Sequence, residues 1–146
     1  MRAVSEDYRL QIERTYEAPA EAVFDAWTSE EVLRRWWQPQ DGWDTPEAVV
    51  ELRVGGAVRV VMRDRDGDLH GGGGTYTEIE RPRRLAFTWT WDDSDRETLV
   101  EVDFEPTATG TRVSFTHSGL EDEASVRDHE SGWSHVLESL GSYLGA

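Results

Sequence analysis

The sequence predicts an α+β fold: a curved seven-stranded antiparallel sheet wrapped around a long C-terminal helix, with two short helices after the first strand. Three observations predict it. Apolar residues recur at helical spacing in two short segments near the start and one long segment at the end. Between them, from Glu47 to about Ser118, the period falls to two, the pattern of antiparallel strands with one wet and one apolar face. Seven tryptophans occur in 146 residues, and most recur on the predicted inward faces.

From Tyr8 to Tyr16 the chain alternates as a first strand, with Tyr8, Leu10 and Ile12 on one side and Arg9, Gln11 and Glu13 on the other. Pro19 suits a first helical turn, where its missing N–H costs nothing. Ala20, Val23, Phe24 and Trp27 then share one helical face. Ser29 is placed to cap a second helix, with Glu30 and Glu31 favouring its N-terminal dipole. Val32, Leu33, Trp36 and Trp37 form that helix's inner face, and Pro39 is its stop signal.

The alternating region begins with Val50, Leu52 and Val54 and turns at Gly55-Gly56. Val58, Val60 and Met62 return, and Asp66-Gly67 matches a type I′ hairpin. A glycine-rich strand leads through Tyr76 to Ile79 and a turn at Pro82. Next come Leu85, Phe87, Trp89 and Trp91; then Val100, Val102 and Phe104; then Val113, Phe115 and His117 after a Gly110 turn. The four glycines 71–74 suit a bulge or sharp sheet curvature. From Glu123 to Leu144, Val126, Trp133, Leu137, Leu140 and Leu144 form one apolar stripe. The apolar face of such a sheet needs a cover, and the last helix is the one long element available. A curved sheet around one helix leaves a wedge, which the short helices plug on one side.

Composition narrows the function classes. Thirty acidic residues oppose fifteen arginines, and lysine, asparagine and cysteine are absent. The net charge of −15 opposes nucleic acid and anionic lipid. Without cysteine there is no disulfide, thiolate metal site or cysteine nucleophile. No run approaches the roughly 20 apolar residues of a membrane helix. The N-terminal residues carry no signal-peptide pattern, so a cytoplasmic location is expected. The length suits a single domain over residues 1–146.

Dispersed residues carry a family resemblance. They are Ala18-Pro19 with Val23-Phe24-Asp25-Ala26-Trp27-Thr28, Leu33 with Trp36-Trp37 and Pro39, and Gly55-Gly56. Gly74-Thr75-Tyr76 with Glu78-Ile79 and Pro82, then Leu85 with Thr88-Trp89, continue the pattern. Gly110-Thr111 with Val113, His117 with Gly119, and Gly132-Trp133 with Leu137 and Leu140 complete it. In order and spacing these resemble the helix-grip proteins of the START/Bet v 1-like superfamily, in the branch named for activator of Hsp90 ATPase homologues. The resemblance implies a helix-grip fold and, from the wider group, binding of lipids, sterols, hormones or polyketides between sheet and helix. A few members of that group are cyclases or aromatases. A chaperone-activating role belongs to two-domain eukaryotic relatives and is not carried over to this chain.

The expected site is therefore a cavity for a small apolar or aromatic molecule, with no cofactor and no metal, in a monomer or weak homodimer that binds neither nucleic acid nor membrane. Phe24, Trp36, Trp37, Met62, Trp89, Trp91, Phe115, Trp133 and Leu137 are the expected walls. Tyr76, His117 and His129 are the expected polar contacts. His117 also reads as a core histidine satisfied by backbone or water, and His129 as a boundary residue of the helix. Trp43 reads either as a cover for the cavity mouth or as a surface aromatic. The residues leave two alternatives: a cyclase/aromatase- or hydrolase-like enzyme in which His117 moves protons, and a chaperone-linked interaction module. Arg81-Pro82-Arg83-Arg84 reads as a polar turn. Asp64-Arg65-Asp66-Gly67-Asp68 reads as a hairpin tip, because its glycine and last position miss the calcium-loop pattern.

Overall fold

The computed structural model describes residues 8–145. Its elements follow the predicted order: β1 (Leu10–Tyr16), α1 (Ala20–Thr28), α2 (Glu30–Trp36), β2 (Asp44–Val50), β3 (Ala57–Arg63), β4 (Leu69–Glu80), β5 (Arg84–Trp91), β6 (Thr98–Pro106), β7 (Thr111–Ser118) and α3 (Glu123–Gly145). The seven antiparallel strands form one curled sheet in the order β1-β7-β6-β5-β4-β3-β2. Consecutive strands are neighbours except that β1 pairs with β7, from Leu10 opposite His117 to Tyr16 opposite Thr111. The short helices thus enter between the two edge strands, β1 and β2.

Local chemistry accounts for the helix ends. Pro19 stands at the N-cap of α1 in an extended conformation, one residue earlier than expected. The Ser29 hydroxyl accepts the Val32 N–H at 3.3 Å and caps α2. That helix ends at Trp36, before Pro39 is reached. The Asp122 carboxylate accepts the Ser125 N–H at 2.8 Å and starts α3.

The concave face is apolar. Trp27 is the hub of its aromatic packing, with ring centroids 5.0 Å from Trp36, 6.0 Å from Trp37, 6.2 Å from Phe115 and 6.4 Å from Trp133. Phe24 packs edge-on against Phe104 at 5.5 Å. The Trp36 indole N–H donates to the Ala26 carbonyl at 2.9 Å, which ties α2 back to α1. The Tyr16 hydroxyl donates to the Leu137 carbonyl at 2.8 Å, joining β1 to the middle of α3. Burial raises the Tyr16 pKa, so the phenol stays a donor.

Four local expectations are corrected. The first strand begins at Leu10, and Tyr8 lies outside it, partly exposed. The strand expected to run through Val54 ends at Val50, leaving Leu52 and Val54 45% and 65% exposed. Its register with β3 shifts between Asp44 and Glu47, around Pro46, which has no ladder N–H to offer and sits on the edge strand. The hairpin at Asp66-Gly67 is not type I′, because Gly67 alone in it has positive φ. The Gly67 N–H bonds the Asp64 carbonyl at 3.0 Å and the Asp64 N–H bonds Asp68 at 2.9 Å, giving a type I turn closed by a left-handed glycine.

The bulge alternative for the glycine run is the fourth correction. Residues 71–74 pair with β3 without a shift, and the bulge against β5 falls later, between Tyr76 and Glu78. Close approach explains these glycines better than a bulge does. A Cβ on Gly72 would lie 2.6 Å from Cζ2 of the Trp89 ring, and one on Gly73 or Gly74 would strike a neighbouring strand's backbone. Gly72→Val is expected to destabilise the protein by about 1–3 kcal/mol through overpacking, read as a lower urea midpoint at unchanged m-value.

Candidate functional site

Between α3, the segment after α2, and strands β3 to β5 lies a cavity of about 840 Å³. Ligand pockets span roughly 300–1,000 Å³, so a drug-sized molecule fits. Trp37, Trp43, Trp89, Trp91 and Trp133 line it together with Met62, Val61 and Val136. The rings are held by one another. Trp37 stacks on Trp89 at 6.0 Å and meets Trp133 edge-on at 5.1 Å, and Trp91 meets Trp89 edge-on at 5.3 Å. Trp43 stacks on His70 at 5.0 Å. Gly132 faces Pro39, where a Cβ would meet the proline at 3.7 Å, so α3 and the segment after α2 pass closely.

Six of the twelve expected site residues line this cavity: Trp37, Met62, Trp89, Trp91, His129 and Trp133. The other six, Phe24, Trp36, Tyr76, Phe115, His117 and Leu137, lie outside its lining and pack in the core. Tyr76 keeps a buried hydroxyl with no hydrogen-bond partner among the described residues, and burial raises its pKa. The sequence reading missed Arg59, His70, Asp92, Asp93 and Asp128 on the lining. Polar residues on strands, in a turn and on a helix flank look alike in the sequence whether they border a cavity or open solvent, so only the tertiary packing reveals them. Trp43 lines the cavity and stacks on His70 rather than standing as an isolated surface ring.

His117 sits fully buried behind the tryptophan wall in a polar relay. The Trp133 indole N–H donates to His117 Nδ1 at 3.0 Å. The Thr98 hydroxyl donates to the Trp89 carbonyl at 2.9 Å, so its oxygen accepts from His117 Nε2 at 2.7 Å. This order of donors requires a neutral imidazole protonated at Nε2. Burial, with His129 nearby, pushes its pKa down to about 3. Side chains satisfy this core histidine, rather than the backbone or water expected. The relay binds α3 to β5, β6 and β7 at once.

His129 is satisfied in the opposite sense. Its Nδ1 donates to the Ser125 carbonyl at 2.8 Å, and its Nε2 accepts the Trp91 indole N–H at 3.1 Å. Both rings are therefore neutral and both have their nitrogens engaged, which leaves neither lone pair to abstract a proton from a ligand. The outer face is tied by charge instead. Arg81 pairs with Asp25, Arg83 with Glu80, and Arg84 with Glu78, Glu101 and Asp103, which consumes the basic cluster around Pro82. At the 64–68 hairpin the carboxylates of Asp64, Asp66 and Asp68 lie within 4.8 Å. Asp64 serves the turn there, accepting the Asp66 and Asp68 N–H groups on one oxygen and bonding His70 with the other.

His135 fastens α3 to the segment after α2. Its Nδ1 bonds the Gln38 carbonyl at 2.7 Å and its Nε2 bonds Asp41 at 2.9 Å. Both partners are acceptors, so the two bonds coexist only in the imidazolium, and the Gln38 carbonyl, with Asp41 and Glu138, raises the pKa.

These arrangements place the chain among helix-grip domains with an aromatic-walled cavity beneath the C-terminal helix. The family model described as "Activator of Hsp90 ATPase homolog 1-like protein" matches residues 17–145, and the chain belongs to that family. An activator of Hsp90 ATPase homolog from Silicibacter pomeroyi shares 31% identity, with 94% of this chain and 97% of that one covered at a TM-score of 0.82. A like protein from Aeromonas hydrophila also shares 31% identity, with 94% and 92% covered at a TM-score of 0.79. A protein from Chromobacterium violaceum shares the fold at 24% identity, with 95% and 98% covered at a TM-score of 0.87. No functionally curated protein matches the chain. Among the described residues, no helix is long and apolar enough to cross a membrane.

Three predictions follow from the histidines. In an NMR titration followed at the ring nitrogens, His117 should keep its neutral Nε2–H form down to about pH 4, well below the range near 6.5 where an ordinary histidine titrates. Trp133→Phe, which strips its Nδ1 of the donor, should cost about 1–3 kcal/mol in chemical denaturation. For His135 the sign is reversed. A raised folded pKa gives stability that is fully present below the unfolded value of 6.5 and is lost as pH rises through the folded one. His135→Gln should flatten the part of the Tm–pH profile that lies above about pH 6.5.

Proposed function

We propose that this chain is a non-catalytic, cofactor-independent cytoplasmic binder of a small apolar or aromatic molecule, acting as one domain. The cavity that carries the reading is large enough for such a molecule and is walled on several sides by indole rings. The rings are fixed by mutual stacking and by the Trp133–His117 and Trp91–His129 hydrogen bonds, so the walls are organised before a ligand arrives. The engaged nitrogens of His117 and His129 favour binding over proton-transfer chemistry at this site.

Tryptophan fluorescence titrated with a panel of apolar, aromatic and polyketide-like compounds, checked by calorimetry, tests the proposal. Saturable binding is expected, weakened about tenfold or more by Trp43→Ala, which removes a half-buried lining ring at the margin of the core. Absence of saturable binding across the panel, or binding indifferent to Trp43→Ala and Trp89→Ala in folded variants, would remove the cavity as the site.

A further inference from the structure

We propose that the cavity selects organic cations: ligands with an apolar or aromatic body and an ammonium or similar cationic group. The inference rests on the cavity being a ligand site and names the chemical class that it takes. Four carboxylates, from Glu47, Asp92, Asp93 and Asp128, line the cavity against one guanidinium, from Arg59. That guanidinium is already engaged. Its two terminal nitrogens bond the two Asp92 oxygens at 2.7 Å each, and Glu47 lies 3.6 Å from its Nε. Its charge is thereby already balanced, so it offers an anionic ligand little net attraction.

Asp93 and Asp128, by contrast, make no side-chain hydrogen bond or ion pair to any described residue. They come from the turn after β5 and from α3, two elements that the Trp91–His129 bond holds together. Many other acids of this surface are tied to arginine or to a turn, as Asp25, Asp44 and Asp64 are. Two unengaged carboxylates therefore stand beside an indole-lined space. Indole is the best aromatic partner for a cation, and the attraction strengthens as water is excluded. The overall charge of −15 adds a long-range field that draws cations to the surface, but it is not specific to the cavity.

Three naphthalenes of similar size and different charge make the test: (2-naphthylmethyl)trimethylammonium, 2-naphthalenemethanol and 2-naphthoate, titrated by calorimetry at low salt. The cation is expected to bind about tenfold more tightly than the alcohol, with the carboxylate weakest. In Asp93→Asn/Asp128→Asn the gap between cation and alcohol should shrink to about twofold. Glu13→Gln/Glu17→Gln, on and just after β1 and outside the cavity lining, removes the same amount of negative charge and should keep the gap. Equal affinity for the three compounds, or a gap reduced as much by the β1 pair as by the cavity pair, overturns the charge selection and leaves the cavity standing. If none of the three binds, the cavity reading falls and this inference falls with it.

Discussion

One helix cannot cover the concave face of seven strands, and most of this structure answers that mismatch. Six inter-strand intervals of about 4.8 Å make a sheet roughly 29 Å wide, whereas a helix with its side chains is about 10–12 Å across. Curling the sheet brings β1 at one edge close to α3, where the Tyr16 hydroxyl reaches the Leu137 carbonyl. α1 fills beside that edge, with Phe24 against Phe104 of β6 and Trp27 against Phe115 of β7, while α2 packs at the other edge beside β2 and supplies Leu33 and Trp36. What remains uncovered, between α3 and strands β3 to β5, is the cavity.

Large flat side chains suit this geometry because a wedge needs volume that converges from several directions. Tryptophan brings that volume together with an N–H that must be satisfied when buried. Trp36 and Trp133 meet the requirement by bonding a carbonyl and a histidine, which turns filling residues into struts between layers. The Trp27 and Trp89 N–H groups are buried without a partner among the described residues. Trp89 belongs to the cavity wall, and the glycine at position 72 is what lets its ring lie flat against β4.

The two histidines near the cavity show how donor order, rather than proximity, decides chemistry. His117 and His129 face each other with centroids 5.2 Å apart, an arrangement that superficially suggests a proton relay. Each is instead bracketed by one donor and one acceptor, and each is thereby fixed as a neutral structural link. His135, which meets two acceptors, is the one of the three built to hold a proton, and it does so at the edge of the fold, where solvent can supply one.

The sequence by itself determined the order and type of nearly every element, because a period of two and a period of 3.6 are written in the positions of apolar residues. It also determined the family, through dispersed residues such as Gly74, Trp89 and Trp133 whose spacing survives in a single chain. It could assign Phe24, Phe115 and Trp133 alike to an inward face, but inward facing does not separate a filled core from a cavity wall. That distinction depends on how far α3 stands from each strand, a distance set by contacts across the whole fold, such as Tyr16 with Leu137 and Gly132 against Pro39. Turn details such as the register shift near Pro46 were likewise decided by pairing with neighbours, not by local pattern. The polar lining was decided there too: Asp93 and Asp128 are ordinary surface acids in the sequence, and only tertiary packing brings them to the same aromatic cavity.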